Sequence, residues 1–305
     1  MSEIPFLTVK PGSSLNGYLH LELDAPFDLP YTVVKGEKPG PTLVVTAGIH
    51  GAEYASIAAA VNIARISPAD LSGTLIVLPI VCMPAYLARS IYSNPVDGKN
   101  LNRQFPGDFE GTFSQQLAAW ITENAIQPAS AYIDLHGGDM IEALEPFTIY
   151  PEHHPESLAL AQAFGIPLLV AAAPGGTTTS AARASNIPSI LAEAGGNGLW
   201  STEDVNMLEH GVRRAMQHLG MLEGSFETVA CTELTQFAWL RSEIAGLWYP
   251  KQRLGKVQKG QDLGVITDPF GKVLQSVVAP IDGIILFSVT SLAIGLDDPL
   301  YGIGA

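Results

Sequence analysis

The chain of 305 residues carries 16 Lys and Arg against 30 Asp and Glu, a formal net charge of −14, which excludes a protein drawn by its overall field to nucleic acid or to an anionic membrane. Hydrophobic residues make up 47% and charged residues 15% of the chain, and the mean hydropathy is +0.22, so a substantial core is expected rather than a disordered chain. The length suits about two domains, or one large α/β domain with an appendage.

The first forty residues alternate short apolar runs with Pro and Gly, which predicts an N-terminal β segment over 1–40, a hairpin or edge strands. The opening MSEIPFLTVK has no basic stretch leading into an apolar one, so no secretory signal is expected and a cytoplasmic location is. The apolar run over 75–88 is shorter than a bilayer span and is interrupted by Pro79 and Pro84, so no membrane segment is expected. Cys82 and Cys231 each lie in an apolar context and read as free thiols rather than a disulfide.

From residue 41 onward strand-like and helix-like runs alternate. TLVVTAGI is followed by a predicted helix over 53–66, then TLIVLPIV, a long polar loop and a helix over 113–126. AYIDL, a helix over 156–164, PLLVAAA and PSILAEA follow. The pattern predicts an α/β fold in which a parallel or mixed sheet is covered by helices on both faces. Over 201–219 the apolar stripe Val205, Leu208, Val212, Met216 and Leu219 predicts an amphipathic helix. Ser201 is its expected N-cap and Gly220 its stop. After Gly224 the texture changes to short strand-like runs broken by Gly, Pro and Asp, which predicts a small all-β unit. The expected division is an α/β domain over 1–230 and a β-domain over 231–305.

Three of the strands end in chemically able residues. In GIHGAE, His50 and Glu53 stand three apart at a strand-to-helix junction, where both can face one point. In YIDLHGG, His136 ends a second strand. Imidazole and carboxylate are good zinc ligands, and residues just after separate strands of an open α/β sheet can converge. A cap or surface pair is the plain alternative for His50 and Glu53. Glu193 ends a third strand in SILAEAGG, where an acid inside an apolar run needs a partner. It is either a structural carboxylate or, beside a metal, a general base. The loop NPVDGKNLNRQFPG sets Asn102 and Arg103 side by side, a pair suited to a carboxylate through charge-assisted hydrogen bonds or else part of a surface turn. Asp134, two residues before His136, is a candidate to orient that imidazole, or else an ordinary buried polar residue. His20, His153, His154, His210 and His218 lack a strand-end placement, and solvent or capping roles are expected for them.

GIHGAE, NLNRQFPG, DLHGG and EAGG, in that order over residues 48–196, together resemble the succinylglutamate desuccinylase/aspartoacylase family, itself related to zinc carboxypeptidases. The resemblance implies a three-layer α/β/α zinc-carboxypeptidase-like domain with a small C-terminal β-domain. It implies one zinc ion per chain held by His50, Glu53 and His136, with Glu193 activating water and then protonating the leaving amine. Asn102 and Arg103 would hold the substrate carboxylate, Arg183, in an Ala-rich loop, would contact its acidic portion, and Arg89 would stabilise the oxyanion. Leu87 and Ile91 stand where relatives carry further basic residues, a departure that touches the last assignment and recognition of a strongly acidic acyl group. The implied reaction is removal of an acetyl or succinyl group from the nitrogen of an amino acid or related small metabolite. A metallocarboxypeptidase acting on short peptides uses the same parts, and a non-catalytic small-molecule binder is the reading from another class.

Residues 255–264 and 279–285 are similar to the two halves of a biotinyl/lipoyl-type sandwich. The link TDPFGK lacks the lysine context of a swinging-arm carrier, so a structural module is expected, limiting access to the cleft or forming a contact between copies in a homo-oligomer.

Overall fold

The computed structural model describes residues 8–172 and 175–305. Expectations for the opening MSEIPFL and for the last residue of PLLVAAA lie outside these residues.

The N-terminal segment forms the expected hairpin, β1 (Ser13–Leu21) antiparallel to β2 (Phe27–Lys35). It is the edge of a nine-stranded sheet completed by β3 (Lys38–Ala47), β4 (Ser72–Leu78), β5 (Ala131–His136), β7 (Phe147–Pro151), β8 (Leu168–Ala172), β9 (Ser189–Glu193) and β10 (Thr232–Leu234). The order is β1-β2-β4-β3-β5-β9-β7-β8-β10. Neighbours from β4 through β3 and β5 to β9 are parallel, whereas β7 runs antiparallel to β9, so the sheet is mixed.

Alternation along the strands sends side chains to two cores. Val45, Ile133, Leu135 and Ile190 face one core, which is covered by α1 (Tyr54–Ile63), α4 (Pro155–Phe164) and α6 (Thr202–His218). Val33, Val44, Ile76 and Tyr132 face the other, covered by α2 (Met83–Ala88), α3 (Phe113–Ile121) and α5 (Thr178–Ala184). This is the three-layer α/β/α arrangement.

The helix expected over 201–219 is α6. The Ser201 hydroxyl accepts the Asp204 N–H at 3.1 Å, a cap that stabilises a helix by about 1 kcal/mol. The helix expected over 113–126 is regular only to Ile121 and continues as a π-helical turn over Thr122–Ile126. Helix α5 occupies what reads in sequence as an Ala-rich loop, because TTSAARA has no apolar period to announce it.

The remaining strands pack as two facing sheets over Trp248, Leu263, Ile266, Ile285, Leu300 and Tyr301. One consists of β11 (Phe237–Arg241), β13 (Gly255–Val257), β16 (Gly283–Val289) and β18 (Pro299–Gly304), the other of β12 (Gly246–Pro250), β14 (Asp262–Thr267), β15 (Val273–Val278) and β17 (Ala293–Ile294). The line at residue 230 is crossed in both directions. β10 joins the large sheet beside β8, and β6 (Glu142–Leu144) leaves it to pair with β16. Phe147, Val170, Leu234 and Leu286 form a further apolar cluster where the two parts meet. Both cysteines are free, Cys82 buried and Cys231 partly so. No helix among the described residues is long and apolar enough to cross a membrane.

Candidate active site

The C-terminal ends of β3, β5 and β9 open side by side, the crevice in which open α/β sheets bind ligands. After β3 the chain turns at Gly48, whose φ of +67° suits glycine. It then presents His50, and Glu53 immediately precedes α1. Gly51 is required by a close approach: a Cβ there would lie 2.1 Å from the Ala85 carbonyl carbon. The middle of α2 therefore rests directly on the turn that carries His50.

Both carboxylate oxygens of Glu53 meet a histidine. Oε1 lies 2.6 Å from His50 Nδ1 and Oε2 lies 3.0 Å from His136 Nδ1. The outer nitrogens are spoken for. His50 Nε2 is 3.1 Å from Asn100 Oδ1, an oxygen that also accepts the Asn102 N–H. His136 Nε2 is 3.0 Å from Asp134 Oδ2. Because both partners are acceptors, each Nε2 carries the proton, and a neutral ring then turns a bare lone pair on Nδ1 toward Glu53. Three acceptors face one another, which demands protons or a cation between them. The electrostatics of the three groups reflect this demand. Burial opposes charge on both rings, yet Glu53 outweighs it and pushes His50 up to about 9 and His136 well above its usual range. Burial likewise opposes ionisation of Glu53, but the two histidines hold it well below the usual carboxylate range. Glu53 Oε2 makes no hydrogen bond of normal geometry. The three ligand atoms lie within 4.8 Å of one another, and a two-His, one-carboxylate set of this kind fits a zinc ion.

Asp134 is fully buried and saturated: Oδ1 accepts the Thr46 hydroxyl at 2.7 Å, and Oδ2 accepts the Thr178 hydroxyl at 2.6 Å besides facing His136. Glu193 stands beside His136 as its register partner on the adjacent parallel strand. Its Oε2 is covered and has no hydrogen-bond partner. Burial, offset by His136 and reinforced by Glu53, pushes its carboxyl up to about 8.

A cleft of about 870 Å³ opens over this centre, lined by His50, Glu53, Asn100, Arg103 and Glu193 from one side and by Phe237, Trp239, Arg241 and Phe287 from the C-terminal β-unit. Arg103 and Arg241 are close enough that burial and Arg241 together lower the Arg103 pKa, while Glu193 supports its charge.

Not every expected residue arrives. Asn102 is buried, and its Oδ1 accepts the Thr178 N–H at 3.0 Å, so it holds the start of α5 instead of lining the cleft, where Asn100 stands. Arg183 is exposed in the last turn of α5. The Asn102 and Asp134 bonds pin the first turn of that helix to the site and leave the last turn outside the cleft. Arg89 is the left-handed C-cap of α2 and lines a separate hollow with Tyr54, Tyr86 and Trp200. The structure brings neither arginine to the cleft, so the roles that the resemblance implies for them have no geometry behind them here. Of the other histidines, His154 caps α4 by accepting the Ser157 N–H, and His20 pairs with Asp28 at the surface. Polar cleft residues that the sequence reading leaves out are Tyr92, Asn100, Asp139, Glu142, Arg241, Asp297 and Asp298. For Asp139 and Glu142 a signal existed, since both follow His136 within six residues.

Residues 39–219 match the catalytic domain of succinylglutamate desuccinylase/aspartoacylase. The chain belongs to this family. It is 30% identical over 271 residues, 83% of this chain and 77% of the relative, to N-alpha-acetyl-L-2,4-diaminobutyric acid deacetylase of Halomonas elongata. Among solved structures of the succinylglutamate desuccinylase/aspartoacylase fold, a Rhodobacter sphaeroides protein has TM-score 0.87 at 30% identity, covering 100% of this chain and 98% of its own. The product-bound ectoine utilization protein EutE (DoeB) of Ruegeria pomeroyi has TM-score 0.89 at 26% identity, with 99% and 97% covered.

Proposed function

We propose that the chain is a zinc-dependent hydrolase that cleaves the amide bond of an N-acyl amino acid, with acetyl or succinyl as the acyl group. The observation that carries this reading is the Glu53 carboxylate shared between two inward-facing imidazoles, with Glu193 Oε2 unpartnered on the next strand. Membership of a family whose named members include a deacetylase and desuccinylases supports it.

When bound, zinc supplies a Lewis acid that polarises an amide carbonyl and lowers the pKa of water toward neutrality. The chain's own groups do the rest. His50, Glu53 and His136 hold the ion, and Asn100 and Asp134 fix the tautomers that leave Nδ1 free to do so. Glu193 takes a proton from the attacking water on its carboxylate and delivers it to the departing nitrogen. One carboxyl group can serve both steps, taking the proton in the first and returning it in the second. Arg103, steadied by its Nη1 bond to the Asn102 carbonyl, and Arg241 from β11 hold the substrate carboxylate. Arg103 offers its guanidinium to an anion, and Arg241, whose Nη1 lies 3.5 Å from Asp297 Oδ2, shares its charge between that carboxylate and the substrate.

The test is hydrolysis of a panel of N-acetyl and N-succinyl amino acids and dipeptides, with chelator and with zinc restored. Chelator-sensitive release of acid from an acyl amino acid is the expected result. Cleavage of dipeptides alone would replace the deacylase with a carboxypeptidase, and activity indifferent to the chelator would remove the metal.

A further inference from the structure

The cleft has an apolar half that the proposed reaction does not use. Along β11 alternate side chains point opposite ways: Ala238 and Leu240 pack into the core of the β-unit, whereas Phe237, Trp239 and Arg241 line the cleft. The rings form a row. Phe237 stacks on Trp239 with centroids 5.8 Å apart, and Trp239 stacks on Phe287 of β16 at 4.9 Å. Part of this row rests on β18, where a Cβ at Gly302 would lie 2.9 Å from Phe237 and from Trp239. That packing accounts for one side of the rings, yet Phe237 is still 46% and Trp239 44% exposed.

The large sheet adds Phe147, Ile149 and Val170 to the same half of the cleft. Ile149 and Val170 are register partners on β7 and β8, and Phe147 is the partner of Glu193 on β9. Apart from the Trp239 indole N–H, none of these side chains can donate or accept a hydrogen bond. A concave surface that keeps so much apolar area open to water suits an apolar group of a ligand. The order of the polar groups beside it says which part of the substrate brings that group. Glu193, the proposed proton carrier to the leaving nitrogen, adjoins Phe147. Arg241, which takes the carboxylate, is two residues from Trp239 on the same strand face, a spacing of about 7 Å. An aromatic or branched aliphatic side chain bridges that spacing from a carboxylate held at Arg241. Nitrogen and carboxylate both belong to the amino acid, and the apolar group therefore belongs to it too.

We propose that Phe237, Trp239 and Phe287, with Ile149 and Val170 from the large sheet, form a slot for the side chain of the amino acid, so that the preferred substrates are N-acyl derivatives of aromatic and large aliphatic amino acids. This rests on the deacylase reading of the same cleft. It gives the C-terminal β-unit a part in specificity, because the ring row and Arg241 both come from it, while the residues that would hold the metal and move the proton come from the large sheet.

The test compares kcat/KM of the zinc-loaded enzyme for N-acetyl-L-phenylalanine, N-acetyl-L-leucine, N-acetyl-L-alanine and N-phenylacetylglycine. The phenylalanine and leucine derivatives should exceed the alanine one by about a hundredfold, since a single methylene in an apolar pocket is worth about tenfold or more. Trp239→Ala should bring the phenylalanine-to-alanine ratio down by about tenfold or more and Trp239→Phe should keep most of it, whereas a merely structural loss would lower both substrates alike. Equal or better turnover of N-acetyl-L-alanine by the unaltered enzyme would overturn the slot while leaving the deacylase standing. Preference for N-phenylacetylglycine over N-acetyl-L-phenylalanine would overturn its assignment to the amino acid. Calorimetry of free L-phenylalanine against L-alanine on the unaltered enzyme reads the slot without turnover. Tighter binding of phenylalanine supports it even if no acyl substrate is cleaved, and equal binding overturns it.

Discussion

Asp134 Oδ2 lies 3.0 Å from His136 Nε2, two residues along the same strand and on the same face of it. The carboxylate also takes the hydroxyl hydrogens of Thr46 and Thr178. These bonds make Asp134 an acceptor in every direction, which leaves His136 one tautomer and turns its Nδ1 to Glu53. Asp134→Asn would place a donor in that network and remove the charge. Zinc affinity should fall by about 10- to 100-fold, read by competition with a chromophoric chelator. An unchanged affinity would show that the ring is oriented by something else.

Glu193→Gln keeps the shape of the side chain and removes its proton exchange. The three residues that hold the ion are untouched, so metal content should stay at one per chain while kcat falls by about 10²- to 10⁴-fold. Full activity in a variant that retains zinc would exclude Glu193 as the proton carrier.

The residues on which these two predictions rest were legible in the sequence for a common reason. His50, His136 and Glu193 each end an apolar strand, and parallel neighbours in a sheet put such ends side by side whatever the loops do. Arg89 and Arg183 were misplaced because their positions depend on where two short helices begin and end. Neither helix has an apolar period, and the first turn of α5 is set by bonds from Asn102 and Asp134 that no local pattern announces. Arg241 was invisible for another reason. It lies 48 residues after Glu193 in sequence, and it reaches the cleft only because the C-terminal β-unit packs against Phe147 and Val170. The acids at 139 and 142 are near His136 in sequence, but their burial against the cleft is a property of the packed loop.

Arg103, from the short turn Leu101–Arg103 of the polar loop, and Arg241, from β11, line the same cleft and lie close enough to feel each other's charge. Either residue changed to Ala should raise KM for a carboxylate-bearing substrate by about tenfold or more over its effect on the corresponding primary amide. Because both would bind one carboxylate, the double variant should cost less than the product of the two single effects. Steady-state kinetics on the acid and amide pair checks this, and an equal effect on both substrates would count against a carboxylate clamp.

Asp97 ties the polar loop to the start of α3. Its oxygens accept the Ser114 N–H at 2.9 Å and the hydroxyls of Ser114 and Thr112, each at 2.8 Å. Burial favours the neutral acid, but the bonds from Ser114 and Thr112 outweigh it and the pKa falls below its ordinary value. A group whose pKa is lowered by folding adds stability above its unfolded pKa and loses it as the pH falls through the folded one. Asp97→Asn should therefore destabilise the chain by about 1 kcal/mol near neutral pH, the size of a lost helix cap. The gap in denaturation midpoint between variant and parent should close as the pH drops below the ordinary Asp range. Urea unfolding at pH 7 and at acid pH measures both ends. A gap that persists unchanged in acid would mean that Asp97 acts through its shape and not its charge.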